Sequence, residues 1–139
     1  MSTSTKPVPL WLRGLVFLLG LANVAFGVMG YFSTGQLFKD LSSVPGLTAD
    51  SPLLVHASQE FSSRNLAIGL ALLIVALVGV PESIAIVGII RALIEIQSIS
   101  QALFHGETAP TIIMPAVFLV IDLVIVVTAF RIVKRAESQ

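Results

Sequence analysis

The sequence predicts an all-α integral membrane protein, an antiparallel four-helix bundle with both termini in the cytoplasm. Of the 139 residues, 55% are hydrophobic and 12% are charged, whereas about a quarter of an average soluble domain is charged. Four apolar stretches each approach the ~20 residues needed to cross hydrocarbon, and basic residues collect near both chain ends. We therefore expect a single transmembrane domain over residues 1–139.

Four transmembrane helices are expected from the apolar stretches. They cover roughly residues 10–32, 55–79, 83–105 and 111–133. Lys6 and Arg13 flank the start of the first stretch, as they would in a secretory signal, but the stretch exceeds the ~7–15 residues of a signal core and no small-residue cleavage site follows. The first helix is therefore expected to be retained.

Prolines and cap residues mark the expected helix ends. Asp50 and Ser51 suit an N-cap before Pro52, so the second helix is expected to begin near that proline. Pro81 suits the start of the third helix, and the short turn before it predicts an antiparallel hairpin. Outer loop 33–52 is a candidate lid and contains the amphipathic fragment 37–41, for which a short interfacial helix is predicted.

The orientation follows from the basic residues near the ends of the chain. They are Lys6, Arg13, Arg131, Lys134 and Arg135. The first long loop contains only Lys39, so it is assigned to the outside and both termini to the cytoplasm. An even number of crossings agrees with this placement.

Composition also excludes whole classes of chemistry. Eight basic residues balance eight acidic ones, so the chain has no basic surface for a nucleic-acid partner. The absence of cysteine excludes disulfides, thiolate nucleophiles and cysteine metal sites. No glycine-rich phosphate loop and no serine-nucleophile elbow is present.

Small and polar residues share faces of the predicted helices. Gly20, Asn23, Gly27 and Gly30 lie three and four positions apart on the first helix, which predicts a close-packing seam. The third helix has a stripe that is largely polar, and the second has a polar outer half. The stripe comprises Gly88, Arg91, Glu95, Ser98, Ala102 and His105, and the outer half comprises His56, Glu60, Arg64 and Asn65.

Asp122 is the single charge in the middle of the fourth apolar stretch. Counted at ~1.5 Å per residue, Asn23, Glu95 and Asp122 lie roughly 13–17 Å below the outer helix ends. Arg91 lies one turn deeper, and the long side chain of Arg64 can reach inward. All four helices are therefore expected to contribute to one polar cluster near the membrane midplane.

Two interpretations of this cluster remain open. A charge at the bilayer centre costs about 2.5–3.5 kcal/mol on the most lenient scale, so these groups need mutual pairing or water. In the structural interpretation, Arg64 and Arg91 only neutralise acids and fix helix register. In the functional interpretation, the groups line a cavity, and one surplus acid among Glu60, Glu95 and Asp122 keeps a proton for acid–base work. The sequence does not indicate which acid holds it.

The histidines are expected to lie at the outer interface as hydrogen-bonding residues. His56 and His105, with Glu60 and Glu107, are compatible with a two-histidine metal site in principle. No HExxH motif or clustered ligand spacing accompanies them, so no metal is predicted.

The pattern Glu60-x3-Arg64-Asn65-x3-Gly69, Arg91-x3-Glu95 and Asp122 resembles the DoxX-like group of small four-helix bacterial membrane proteins. The resemblance implies location in a bacterial inner membrane and a single interior site containing these charged residues. Members of that group are linked to quinone-coupled oxidation as accessory subunits or to assembly of partner membrane proteins.

Two functions from different classes fit these observations. In the first, the chain binds or transforms a lipophilic small molecule without a cofactor. Asp122 and Glu95 then act as acid and base for epoxide opening, cyclisation or isomerisation. The residues expected to bind substrate or orient these acids are Arg64, Arg91, Asn23, Asn65, Glu60 and Ser98. In the second, the chain is an accessory or assembly subunit with a structural polar core. Expected partners are membrane lipids, a further copy or another membrane protein; transport would require an oligomer.

Overall fold

The computed structural model describes residues 7–32, 48 and 51–138, and every regular element in these ranges is an α-helix. The helices are α1 (Leu10–Phe32), α2 (Pro52–Val78), α3 (Pro81–Phe104) and α4 (Ala109–Glu137). The predicted all-α class and number of helices are confirmed for the described residues. α4 continues past its predicted end at residue 133.

Each of the four helices is long and apolar enough to cross a membrane. All four present large exposed hydrophobic side chains, among them Leu18 on α1, Ile74 on α2, Ile86 on α3 and Val120 on α4. In water this much exposed apolar surface would be costly, whereas lipid tails solvate it. By length and composition, the chain is a multi-pass integral membrane protein.

The helix ends follow the sequence signals. The backbone N–H of Leu54 donates to the Ser51 hydroxyl at 3.3 Å, so Ser51 caps α2 as predicted. A proline occupies the first turn of α3 and of α4. Gly79 and Gly106 adopt left-handed φ angles of 71° and 64° just after α2 and α3, a conformation that glycine adopts without steric cost. The fragment 37–41, with its predicted interfacial helix, lies outside the described residues.

The chain divides into two compact units. One is Phe17–Leu73; the other combines Met1–Val16 with Ile74–Gln139. We call them the 17–73 unit and the 74–139 unit.

In the 17–73 unit, the backbones of α1 and α2 come into direct contact. A Cβ atom added at Gly69 would lie 2.8 Å from the backbone nitrogen of Val24 and 2.9 Å from the carbonyl oxygen of Gly20. One added at Gly27 would lie 2.9 Å from the backbone nitrogen of Leu66. The predicted close-packing role of Gly20 and Gly27 is confirmed, because only residues without a side chain allow this approach.

Polar contacts continue the same interface toward the end of α1. The buried Ser58 hydroxyl donates to the carbonyl oxygen of Gly30, and the hydroxyls of Tyr31 and Ser63 are 2.9 Å apart. Contacts made early in α2 thus involve the end of α1, and the two segments run antiparallel.

In the 74–139 unit, α3 and α4 pack against each other as an antiparallel pair. A Cβ atom at Gly88 would lie 2.8 Å from a methyl group of Val126. One turn further along α3, Arg91 contacts Asp122, one turn earlier along α4. As residue numbers rise along α3, the numbers of the contacting residues on α4 fall, so the two helices run in opposite directions. The close approach at Gly88 brings a polar residue of each helix to the same level.

The N-terminal segment of the same unit closes the end of α2. Arg13 donates from Nε to the carbonyl of Ala76 at 2.8 Å and from one terminal nitrogen to that of Leu77 at 2.7 Å. These carbonyls lie in the last turn of α2, where they have no partner within the helix. A cation there also suits the negative end of the helix dipole.

Candidate functional site: an arginine between two carboxyl groups

The candidate site consists of three charged residues of the 74–139 unit, which we call the triad: Arg91, Glu95 and Asp122. Arg91 and Glu95 are one turn apart on α3, so their side chains lie on one face. Asp122 comes from the facing side of α4. The hydrophobic residues around them form regular helices, which fix the three side chains at one level.

The guanidinium of Arg91 joins both carboxyl groups. Its Nε donates to Asp122 Oδ1 at 3.0 Å, and one terminal nitrogen donates to Glu95 Oε1 at 3.1 Å. Its central carbon lies 5.1 Å from the ring centre of Phe118, which is within the range of a cation–π contact. Because three groups contact the guanidinium, its position is well defined.

The side chains of the triad are buried or nearly buried. The exposed fraction is 5% for Arg91, 1% for Asp122 and 12% for Glu95. Charge-assisted hydrogen bonds in a buried environment are stronger than neutral ones, because the local dielectric is low. Removing the guanidinium, the one cation of the triad, is correspondingly costly because it leaves two buried acids without a counter-charge.

The triad is not balanced in charge or in hydrogen bonds. It combines one guanidinium with two carboxyl groups, so full ionisation would leave one excess negative charge in a place where uncompensated charge is expensive. Asp122 Oδ2 is buried and has no hydrogen-bond partner among the described residues. A proton on a carboxyl group, or a donor group on a bound molecule, would complete the triad.

The other residues predicted for the site have different surroundings. Three of them donate to a carbonyl oxygen one turn earlier in their own helix: Asn23 to Leu19, Asn65 to Phe61, and Ser98 to Ile94. Such bonds are the usual way in which polar side chains are satisfied within membrane helices. Asn23 is also buried, and Ser98 is partly buried.

Two charged residues in the N-terminal half of α2 are exposed rather than enclosed. Glu60 is 72% exposed and lies 3.3 Å from the ring nitrogen of His56. Arg64 is exposed and makes no ion pair within the described part of the chain. These residues and Asn23 belong to the 17–73 unit. A shared cluster with the triad therefore stays a prediction.

The structure also shows contacts that the sequence did not indicate. Phe118 lies against Arg91, and its position one turn before Asp122 is the signal that could have revealed this contact. Arg13, one of the basic residues that predict the topology, also caps α2. Ser62 is buried and donates to the carbonyl of Ser58, a role that serines commonly have in helices.

The two histidines make their contacts with residues outside the triad. The His105 ring meets that of Phe104 edge-on at 5.3 Å, at the C-terminus of α3, and His56 is exposed beside Glu60. Over residues 7–32, 48 and 51–138, no three His, Asp or Glu side chains are grouped as a metal site would require.

Comparison with known proteins yields no relative: no family model, curated protein or solved structure matches this chain. The likeness to the DoxX-like group therefore remains a resemblance of short motifs.

Proposed function

We propose that this chain is a multi-pass membrane protein whose triad binds the polar group of a lipophilic small molecule. The observation that carries the proposal is the buried oxygen Asp122 Oδ2, which has no partner among the described residues although Oδ1 of the same group accepts from Arg91. Buried polar atoms are nearly always hydrogen-bonded, so an orphan atom beside a fixed arginine suggests a missing donor. An alcohol, an epoxide-derived hydroxyl or a proton would supply it.

Acid–base catalysis is the chemistry that such a group performs best. In double-bond isomerisation, a carboxylic acid adds a proton to one carbon while a carboxylate removes a proton from another, and the two acids exchange states without consuming a cofactor. Asp122 and Glu95 are the proposed acid–base pair, and Arg91, bonded to both, orients them. Epoxide opening and cyclisation also require a positioned proton donor and a positioned proton acceptor.

The proposed topology is an antiparallel four-helix bundle with both termini in the cytoplasm of a bacterium, in the inner membrane. Two contacts support it. Arg13 caps the end of α2, which places the start of α1 beside that end. α3 and α4 are antiparallel, so the basic end of α4 lies at the level where α3 begins. The basic residues of both chain ends thus lie on one side.

An accessory or assembly subunit is the second candidate function, and one observation favours it. Both carboxyl groups and the Phe118 ring contact Arg91, so the triad also joins α3 to α4 without any ligand. In that case the exposed helix surfaces would carry the function by docking another membrane protein. The two candidates differ in what remains bound to the protein during gentle purification.

The proposal is tested with Asp122→Asn, which keeps the size and the accepting oxygen of the side chain but removes its charge and its acid–base function. Glu95 remains bonded to Arg91, so the variant keeps one ion pair, and thermal stability in detergent should remain close to that of the unchanged protein. The bound small molecule, detected by mass spectrometry of the intact complex, or its turnover, should be lost. Glu82→Gln, a charge removal at an exposed residue, is the matched control.

Two outcomes would overturn the proposal. If Asp122→Asn unfolds while Glu82→Gln does not, the acid has a structural role and the site assignment fails. If the variant is stable and retains the molecule and its turnover, Asp122 is not the group that binds or reacts. A membrane protein that co-purifies in place of a small molecule would support the subunit function.

A further inference from the structure

The surface of α4 that faces away from α3 carries a shallow groove of about 350 Å³. Its lining residues are Val120, Leu123, Val124, Val127, Thr128 and Arg131. They recur at intervals of three and four and therefore form one stripe along the helix. The groove is apolar along most of its length and ends at a cation.

The length of the groove matches one leaflet of a bilayer. The helix rises ~16 Å between Val120 and Arg131 at ~1.5 Å per residue, and half of a ~30 Å hydrocarbon core is ~15 Å. An acyl chain lying along the valines would therefore begin at Arg131, near the membrane surface, and end near the midplane. The four apolar residues of the lining are 47–61% exposed; they are Val120, Leu123, Val124 and Val127.

The charges at the end of the groove favour an anionic headgroup. Arg131 is exposed and makes no ion pair with any described residue. Lys134 and Arg135 are exposed in the last turns of α4 and extend the same stripe by three and four positions. A basic group at the membrane surface attracts anionic lipid with about 1 kcal/mol per residue.

The lining residues argue against a partner helix as the occupant. Helices that associate in membranes meet through small residues that let their backbones approach. The groove has valine, leucine, one threonine and one arginine instead. The small residues Gly20, Gly27 and Gly69 are used within the 17–73 unit, at the contact between α1 and α2.

We propose that this groove is a binding site for one anionic phospholipid, with its phosphate on Arg131 and one acyl chain along Val127, Val124 and Val120. The site is independent of the triad. It requires only that α4 spans the bilayer and that its basic end lies at the headgroup level.

The test uses the detergent-solubilised full chain, with palmitoyl-oleoyl phosphatidylglycerol as the probe and phosphatidylcholine with the same chains as its zwitterionic counterpart. Mass spectrometry of the intact complexes counts the lipids retained per chain over a titration. We expect one phosphatidylglycerol to be retained in preference to phosphatidylcholine. Arg131→Gln should weaken that binding about fivefold, the equivalent of ~1 kcal/mol, and Glu82→Gln, which removes an exposed charge outside the groove, should not weaken it.

A second variant tests the apolar part of the site. Val124→Trp fills the groove and should lower retention of phosphatidylglycerol, whereas Ile86→Trp, at a similarly exposed apolar position on α3, should leave it unchanged. Equal retention of both lipids, or unchanged binding by Arg131→Gln and Val124→Trp, would overturn the proposal. Loss of a dimer in Val124→Trp, with no effect on lipid, would overturn it in favour of a second copy as occupant.

Discussion

Arg91 has contacts that a lysine could not reproduce. The planar guanidinium presents donors in several directions, so Nε bonds Asp122 on α4 while a terminal nitrogen bonds Glu95 on α3, and its flat face lies over Phe118. An ammonium group is a compact point charge with no such fork or face. The residue thus holds two acids of different helices at defined positions, which is what an acid–base pair requires.

We expect Arg91→Gln to lower the free energy of unfolding by roughly 3–5 kcal/mol, the cost typical of removing one partner from a buried ion pair. The physical reason is that Asp122 and Glu95 would lose the cation that neutralises them. Unfolding by denaturant in detergent measures the change, with Arg64→Gln as the exposed-arginine control, for which an effect within about 0.5 kcal/mol is expected. Equal, small effects of both substitutions would show that the buried acids do not depend on Arg91.

The helix pairs are held together by different means. α1 and α2 meet backbone to backbone at Gly20, Gly27 and Gly69, so packing forces between closely approaching helices dominate there. α3 and α4 also approach closely at Gly88, but there the triad adds charge-assisted hydrogen bonds. The contact between α1 and α2 is therefore sensitive to added side-chain volume, and the contact between α3 and α4 is sensitive to the loss of a charge.

A pair of glycine substitutions tests the sensitivity of α1 and α2 to volume. The new Cβ of Gly69→Ala would lie 2.8 Å from a backbone atom of Val24, so the helices must separate, and overpacking of this kind typically costs about 1–3 kcal/mol. In Gly14→Ala the new Cβ meets nothing within 4 Å, so helix propensity should stabilise the protein by up to ~1 kcal/mol. Thermal melting in detergent compares the two variants, and a stable Gly69→Ala would contradict the close-contact interpretation.

At the scale of the whole molecule, charge distribution and helix direction are the basis of the proposed orientation. Arg13 lies at the end of α2, and the basic residues of α4 lie at the level where α3 begins, because α3 and α4 are antiparallel. The turn after α3, around Glu107, lies at the opposite end of that pair. Basic residues are retained on the cytoplasmic side during insertion.

Reporter fusions test this orientation directly. A reporter that is active only in the cytoplasm should work when fused after Gln139 and fail when inserted in the turn at Glu107. A reporter that is active only outside the cytoplasm should give the reverse pattern. An active external reporter at Gln139 would invert the proposed topology, although the helix contacts would stand.

The sequence alone determined the all-α class, the four membrane-spanning helices and most of their ends. These features depend on local properties: apolar length, proline and serine at helix starts, and glycine after helix ends. It also indicated that Gly20 and Gly27 allow close packing and that Arg91 and Glu95 share one face, because helical spacing defines faces without any knowledge of the neighbouring helix.

Only the tertiary structure decided which helix the polar face of α3 meets. The pairing of Arg91 with Asp122, the position of Phe118 over the guanidinium and the orphan oxygen Asp122 Oδ2 depend on the register between α3 and α4. Helical periodicity does not determine that register, because the register depends on where the two backbones approach each other, here at Gly88. Likewise the charge on Arg13 was visible in the sequence, but its use as the cap of α2 was not, because that contact joins residues more than sixty positions apart.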